Sequence, residues 1–249
     1  MPDKELISRN FSASAEVYNS HSVMQREMAD RLLSFLTPPL TSSPISLTKI
    51  LDIGCGTGYL TLKLAEQFPS ARVEGIDIAP GMIAVAEKLK RSNLSFTVGD
   101  GEEVSGSGYD LVVSNASLQW MEIGKAFARV ASLLKPGGLF VFTTFGPKTL
   151  IELKECGFRV NEFPDTIAIE QLLKPNFHNV FLASQVYHEE FPGVKELIYY
   201  LKELGAQTAD EGATFSPSAF RQYKEKYSTS DGVTASFEPI YGVFRRKAE

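Results

Sequence analysis

Leu51-Asp52-Ile53-Gly54-Cys55-Gly56-Thr57-Gly58 decides how the rest of this chain is read. Lys49 to Ile53 is a short apolar run of strand length, and Leu60, Leu64 and Phe68 after it fall at helical spacing. The glycine loop therefore joins a strand to a helix. Glycines at alternate positions let the backbone turn sharply and come close to a ligand. Nucleotide-binding proteins use such loops too, so the glycines alone do not name the ligand. Three details separate the readings. A dinucleotide fingerprint would place its third glycine at position 59, which is Tyr59. Asp52 sits in the strand directly before the loop, where a carboxylate would repel a pyrophosphate and suits a ligand with an ammonium group and a sulfonium. The loop holds no Lys or Arg, which excludes a phosphate-binding P-loop.

Downstream, the alternation of strand and helix continues. Arg72 to Asp77, Leu94 to Val98, Tyr109 to Ser114 and Leu139 to Phe145 read as further strands. Between them, Met82, Val85, Ala86 and Leu89 are spaced as on a helix, with Pro80 at its first turn, and so are Ile123, Phe127, Val130 and Leu134. Lys135-Pro136-Gly137-Gly138 is expected to stop that second helix. Apolar strands alternating with amphipathic helices predict a parallel sheet covered on both faces, an α/β doubly wound fold. Its ligand belongs beyond the carboxyl ends of the strands. Asp77 ends the second strand, where it can accept from ribose hydroxyls or cap the next helix. Asp100 follows the third strand and can accept from an exocyclic adenine amine or close a turn. Three acids in register with three strand ends supply contacts for the amino-acid, ribose and base parts of one ligand.

Upstream, Met24, Met28, Leu32 and Leu36 lay an apolar stripe on a helix that Thr37-Pro38-Pro39 is expected to end, with Thr41 to Pro44 as a loop. Beyond Gly146, Val180 to Phe191 contains a β-like run. Val194 to Leu204 and Ser216 to Tyr227 read as helices, expected to form a lid, and Phe237 to Arg245 as one closing strand.

The net charge of −5 argues against sequence-independent nucleic-acid binding, which relies on clustered Lys and Arg. The two cysteines make no disulfide framework, and His21, His178 and His188 show no metal-ligand spacing with them, so no metal is expected. No apolar run approaches the roughly 20 residues that span a bilayer, and the N-terminus has no apolar signal region. A cytoplasmic protein without membrane contact is the expectation.

Residues 45–145 resemble the class I S-adenosylmethionine (SAM)-dependent methyltransferases. The similarity lies in Leu51 to Gly58, in Gly75-Ile76-Asp77-Ile78-Ala79-Pro80-Gly81-Met82 and in Val98-Gly99-Asp100. Tyr109 to Asn115 and Leu134 to Gly138 extend it. The resemblance implies a seven-stranded Rossmann-like sheet with the last strand antiparallel. It implies SAM as cofactor, with S-adenosylhomocysteine as product. It places the cofactor on Asp52, Gly54, Cys55, Gly56, Thr57, Gly58, Asp77, Ile78, Met82, Asp100, Gly101 and Asn115. Cys55 reads as a small packing residue rather than a nucleophile.

Nearly the whole chain resembles a narrower group, the malonyl-acyl-carrier-protein O-methyltransferases of biotin synthesis. The match rests on Phe11 to Tyr18, Gln25 and Ala29, on Ser114 to Trp120, on Gly146 to Leu153 and on Leu201 to Ala206. One methyltransferase domain over 1–249 follows from it. It comprises an N-terminal helical segment (1–40), a cofactor core (45–145) and a C-terminal substrate and lid region (146–249). The stretch Leu153 to Glu162 is shorter than the group's pattern. The implied substrate is a malonyl thioester on acyl carrier protein or coenzyme A, methylated on its free carboxylate. A carboxylate with a pKa of roughly 4 is already ionised, so no general base is expected. Tyr18, Gln119, Trp120 and Thr144 are candidates to position it, although Trp120 and Tyr18 read equally as packing aromatics. Lys195 and Lys202 could meet an acidic carrier protein or be simply solvated. Other readings stay open: a quinone C-methyltransferase, a trans-aconitate-type carboxyl methyltransferase, or a SAM-binding regulator without turnover. Carboxyl methylation of a free acid would favour an arginine clamp, but neither Arg129 nor Arg159 falls in a predicted active-site loop. An NAD-dependent oxidoreductase is disfavoured by Tyr59 and Asp52.

Overall fold

A computed structural model describes residues 3–36, 47–204 and 217–248. The expected helix stop at Thr37 to Pro39, the loop at Thr41 to Pro44 and the pair Gly205-Ala206 lie outside them. The N-terminal region forms two helices rather than one, α1 (Lys4–His21) and α2 (Val23–Ser34). Ser22 separates them: its φ of −85° and ψ of 42° leave the helical region, and its N–H closes α1 on the Tyr18 carbonyl. Met24, Met28 and Leu32 of the apolar stripe are buried on α2, and Leu36 is buried just beyond it.

The alternation follows: β1 (Lys49–Ile53), α3 (Tyr59–Gln67), β2 (Arg72–Asp77), α4 (Pro80–Ala86), β3 (Leu94–Val98) and β4 (Tyr109–Ser114), then α5 (Ile123–Leu133) and β5 (Leu134–Phe145). Pro80 opens α4, where a missing N–H costs nothing. The strand β5 begins earlier than Leu139. Tyr109 pairs with Leu134 but Leu111 with Leu139, so Lys135 to Gly138 bulges out of the ladder, with Gly137 at φ +77°. The remaining elements are α6 (Ile151–Glu155), α7 (Thr166–Leu173), β6 (Phe177–Ser184), β7 (Tyr187–Phe191), α8 (Val194–Glu203), α9 (Pro217–Tyr227), β8 (Val233–Phe237) and β9 (Pro239–Arg246).

Seven strands form one sheet in the order β3-β2-β1-β4-β5-β9-β6, with β1 to β5 parallel and β9 antiparallel to both neighbours. The single closing strand expected at Phe237 to Arg245 is two strands. The first, β8, leaves the large sheet and pairs with β7 in a separate hairpin-like ladder. Glu238 marks the switch. Its buried carboxylate accepts from the Lys148 N–H at 2.8 Å and the Ser184 hydroxyl at 3.0 Å, so the chain is tied down where it changes sheets. The β-like run at 180–191 is likewise divided between β6 and β7.

Side chains alternate across the sheet as the pleat requires. Leu111, Val113, Leu139 and Val141 face a core built with α2 and α3, while Val112, Phe140 and Phe142 face one built with α5 and α7. Both faces are covered, which is why these strands read as unbroken apolar runs. The register aligns Ile53 with Ile76, Asp52 with Val113 and Asp77 with Val98. The loops after four strands thus open on one edge, where residues of α1 and α8 meet them. Among the described residues, no helix is long and apolar enough to cross a membrane.

Candidate active site

The glycine loop spends its N–H groups on the protein itself. Those of Gly54 and Cys55 donate to the Ile76 carbonyl at 2.8 and 3.0 Å, that of Gly56 to Asp77 Oδ2 at 2.9 Å, and that of Gly58 to the Cys55 carbonyl at 2.9 Å. This is a loop without the fan of free donors that would hold a phosphate. Gly54 has φ +71°, and a Cβ there would stand 2.3 Å from Ser117 Cβ. Ser117 cannot yield, because its hydroxyl donates to the Ile53 carbonyl at 3.0 Å.

Above the loop lies a cavity of about 660 Å³. Gly54, Gly56, Asp77, Ile78, Met82, Asp100, Gly101 and Asn115 all line it. A smaller cavity of about 410 Å³ continues from it and is lined by Asp52, Cys55 and Thr57, sharing Tyr18, Gly54, Gly56 and Asn115. Gly58 lines neither. It stands at φ +84° as the residue that opens α3, so it shapes the loop rather than the cavity.

Asp52 is almost fully buried. Oδ2 accepts from the Thr61 hydroxyl at 2.7 Å, and Oδ1 has no partner. Burial pushes its carboxyl up to about 7, the charge of Asp77 adds to the rise, and the Thr61 hydrogen bond opposes it. Gln25 Oε1, on α2, is the second unpartnered buried acceptor, and it lines the same small cavity. An unpaired buried acceptor is costly, and two in one cavity call for a donor, best a cationic one. The ammonium of a SAM methionine is such a group. The residues present therefore fit the cofactor's amino-acid end.

Asp77 borders the cavity, and it braces the residue before α4 rather than capping that helix, whose N-cap Ala79 carries no side-chain hydrogen bond. Oδ1 accepts from the Ala79 N–H at 2.9 Å beside the start of α4 and Oδ2 from Gly56, while the carboxylate borders the cavity. Burial raises its pKa despite those two hydrogen bonds. Asp100 is less open than the adenine reading supposed. Oδ1 closes its own turn on the Glu102 N–H, and Oδ2 pairs with Lys4 at 2.6 Å, a lysine of α1 that also reaches Glu102 at 3.0 Å. Lys4 gives no local signal in sequence, since only the tertiary fold lays α1 over the loop after β3. Cys55 is buried, and burial holds its thiol well above the ordinary range, as a packing residue requires. Among the described residues, no group of three or more His, Cys, Asp or Glu could hold a metal ion.

A third cavity of about 750 Å³ abuts the cofactor cavity. Both are lined by Phe11, Tyr18, Ala116 and Trp120, which make the wall between them. Phe11 meets Trp120 edge-on at 5.5 Å and Tyr18 at 6.4 Å. Ala116 sits in the left-handed region at φ +50°, held by its N–H on Thr143 Oγ1 at 2.9 Å, and this local strain turns the loop after β4 toward the wall. Gln119 lines the third cavity, and its amide donates to the Ala116 carbonyl at 2.7 Å. Thr144 lines none of these cavities. It is fully buried behind Gln119, with its hydroxyl 3.5 Å from Oε1, so it orients that amide. Asn115 Nδ2 donates to the Gln25 carbonyl at 2.9 Å and Oδ1 accepts from Thr143 at 2.7 Å, which ties β4 to α2. Arg159, which the sequence left outside the site, lines the third cavity, whereas Arg129 is bonded to the Glu102 carbonyl.

The chain matches the Methyltransferase domain family over residues 50–138. It is 31% identical to a malonyl-[acyl-carrier protein] O-methyltransferase of Halalkalibacterium halodurans, covering 96% of this chain and 97% of that one. The chain belongs to the SAM-dependent methyltransferases. A malonyl-[acyl-carrier protein] O-methyltransferase of Acetivibrio thermocellus is 34% identical over 99% of this chain and 95% of that relative. Solved structures share the class I methyltransferase fold. A Bacillus halodurans protein described as a methyltransferase superposes with TM-score 0.62 at 15% identity, covering 88% of this chain and 99% of the other. The Haemonchus contortus phosphoethanolamine N-methyltransferase 2 in complex with SAM gives 0.54 at 21%, covering 90% and 53%.

The raised Asp52 carboxyl has a pH consequence. Its unfolded value is about 3.9 and its folded value about 7. Between those values the folded state holds more protons than the unfolded one, so stability falls as pH rises. Without SAM, stability is expected to fall between about pH 4 and 7, by up to about 1.4 kcal/mol per pH unit, and to level off above pH 7, with the thermal midpoint following it. Asp77, raised in the same direction, adds to it. A cation beside Asp52 favours its ionised form, so saturating SAM should flatten the slope. Scanning calorimetry across that pH range checks both, and a flat profile without SAM would remove the buried-carboxylate account.

Proposed function

We propose that this methyltransferase converts the free carboxylate of a malonyl thioester, carried on acyl carrier protein, into its methyl ester. The observation that carries the reading is the shared aromatic wall: a mainly apolar cavity of substrate size meets the cofactor cavity at Tyr18 and Trp120. The names of the full-length relatives support the same substrate.

The bound cofactor supplies an electrophilic methyl group on a sulfonium. The chain's own part is to bring a nucleophile to it. Tyr18 and Trp120 each present a hydrogen-bond donor at the wall, and neither the hydroxyl nor the indole N–H has a partner among the described residues. Gln119, pinned by Ala116 and Thr144, adds a fixed amide close by. Since the nucleophile is ionised without help, catalysis rests on alignment and on exclusion of water. Leu150, Leu153, Phe163, Leu201 and Phe237 supply the dry surface. Lys195 and Lys202 stand exposed on α8, whose Leu201 lines the cavity, and so offer two cations, with Glu196 and Glu203 beside them, to an acidic carrier.

Intact-mass measurement tests the reading. The protein is incubated with SAM and malonyl-carrier protein, with acetyl-carrier protein as control. The malonyl species alone is expected to gain one methyl group. No gain, with SAM binding verified, would reject the substrate and leave the enzyme class standing.

A further inference from the structure

The third cavity is lined from the aromatic wall to the α6–α7 connection by more side chains than a three-carbon acyl group can touch, and its lining contains one charged side chain among the described residues, Arg159. That residue lies in the connection between α6 and α7. Phe158 beside it is buried edge-on against Phe220 and Tyr223 of α9 at 5.5 and 6.3 Å, and Val160 and Phe163 pack on the core. The connection is thereby anchored on both sides of Arg159, while Arg159 itself is exposed and borders no part of the cofactor cavity. A side chain that lines a cavity and still meets solvent stands at its mouth. The reacting end, at Phe11, Tyr18, Ala116 and Trp120, is the other end.

We propose that Arg159 receives the phosphate at the distal end of a pantetheine-type arm, fixing the thioester substrate at the mouth rather than at the reacting carboxylate. This rests on the malonyl-thioester reading above. If the carboxylate lies at the aromatic wall, the thioester follows within three carbons, and the rest of the cavity has to hold the arm. The phosphate that ends such an arm is an anion, and a guanidinium is the side chain best shaped to meet one. Asn161, on the same connection, lines the cavity and adds a polar group beside Arg159. The same phosphate chemistry occurs on carrier protein and on coenzyme A.

The test compares three substrates that share the malonyl thioester: malonyl-carrier protein, malonyl-coenzyme A and malonyl-pantetheine, which has no phosphate. Arg159→Glu is expected to raise KM for the two phosphate-bearing substrates about tenfold or more, with kcat unchanged, as for loss of a charge-assisted contact made equally in ground and transition states. Malonyl-pantetheine should be used as well as by the wild-type enzyme, and Arg159→Lys should restore most of the affinity. The ratio of kcat/KM for carrier protein and coenzyme A in the wild type tells which source the enzyme uses. Loss on all three substrates would overturn the proposal by moving Arg159 to the carboxylate or to the fold, and Arg159→Gln with a measured thermal midpoint separates those two. Loss on carrier protein alone would overturn it in favour of a protein-surface contact, and no loss anywhere would overturn it outright. A wild-type enzyme that binds SAM but methylates none of the three would instead sink the substrate reading on which it rests.

Discussion

Replacing Asp52 with asparagine is expected to weaken SAM binding by about 1–3 kcal/mol, measured by titration calorimetry. The substitution keeps the volume of a buried site, and the amide oxygen can still accept from the Thr61 hydroxyl that now bonds Oδ2. What changes is the unpartnered position. In the native chain Oδ1 is an acceptor without a donor, beside a second lone acceptor at Gln25 Oε1. In the variant that position either presents an N–H to the ligand's ammonium or keeps a weaker, neutral acceptor. The loss therefore belongs to the ligand and not to packing. Without SAM the variant should be more stable than the native chain above pH 7, because it no longer carries a buried carboxylate that ionises near there. Tighter folding with weaker binding is a combination that a merely structural aspartate would not produce. Unchanged affinity would remove Asp52 from the cofactor site.

Trp120→Ala is expected to lower the transfer rate about a hundredfold, the cost of misplacing reacting groups by roughly 1 Å. Trp120 is part of the wall common to both cavities and packs edge-on against Phe11. Its removal joins the cavities, admits water between them and deletes the indole N–H carried by that wall. SAM affinity should fall much less, by about the 0.5–1.5 kcal/mol of one aromatic pair. Single-turnover kinetics with separately measured SAM binding reads the two effects apart. Trp120→Phe keeps a ring against Phe11 and removes the N–H, so a rate between the native and alanine values would assign the difference to that donor. A native rate in the alanine variant would show that the wall plays no part in transfer.

The elements carrying the cofactor cavity could be read without a structure for a physical reason. A strand buried on both faces has to be apolar throughout, and a strand-to-helix turn this tight has to be glycine. Both demands act over a few consecutive residues, so Leu51 to Gly58 and Asp77 could be placed from their neighbours alone, whereas Asn115 was placed by the family resemblance. The places where expectation and structure part are all set by distant residues. Nothing near Phe237 announces that β8 and β9 join different sheets, because the switch is held by Glu238 bonding to Lys148 and Ser184. Thr144 sits at a strand end, as a positioning residue should, yet the pleat turns it behind Gln119.

Lys4 reaches Asp100 only because α1 folds back across the sheet, 96 residues away in sequence. Arg159 follows a five-residue helix in a stretch without regular pattern, and it joins the cavity because Phe158 is gripped by α9. By itself the sequence determined the five parallel strands, the glycine turn and the acids at the strand ends, since local patterning encodes all three, and the family resemblance those residues carry named the class of cofactor. Only the tertiary structure decided which side chains line the cavity beyond the aromatic wall, because that cavity is assembled from α1, α2, the loops after β4 and β5, the α6–α7 connection, α8 and β8. No short window of sequence records how those segments meet.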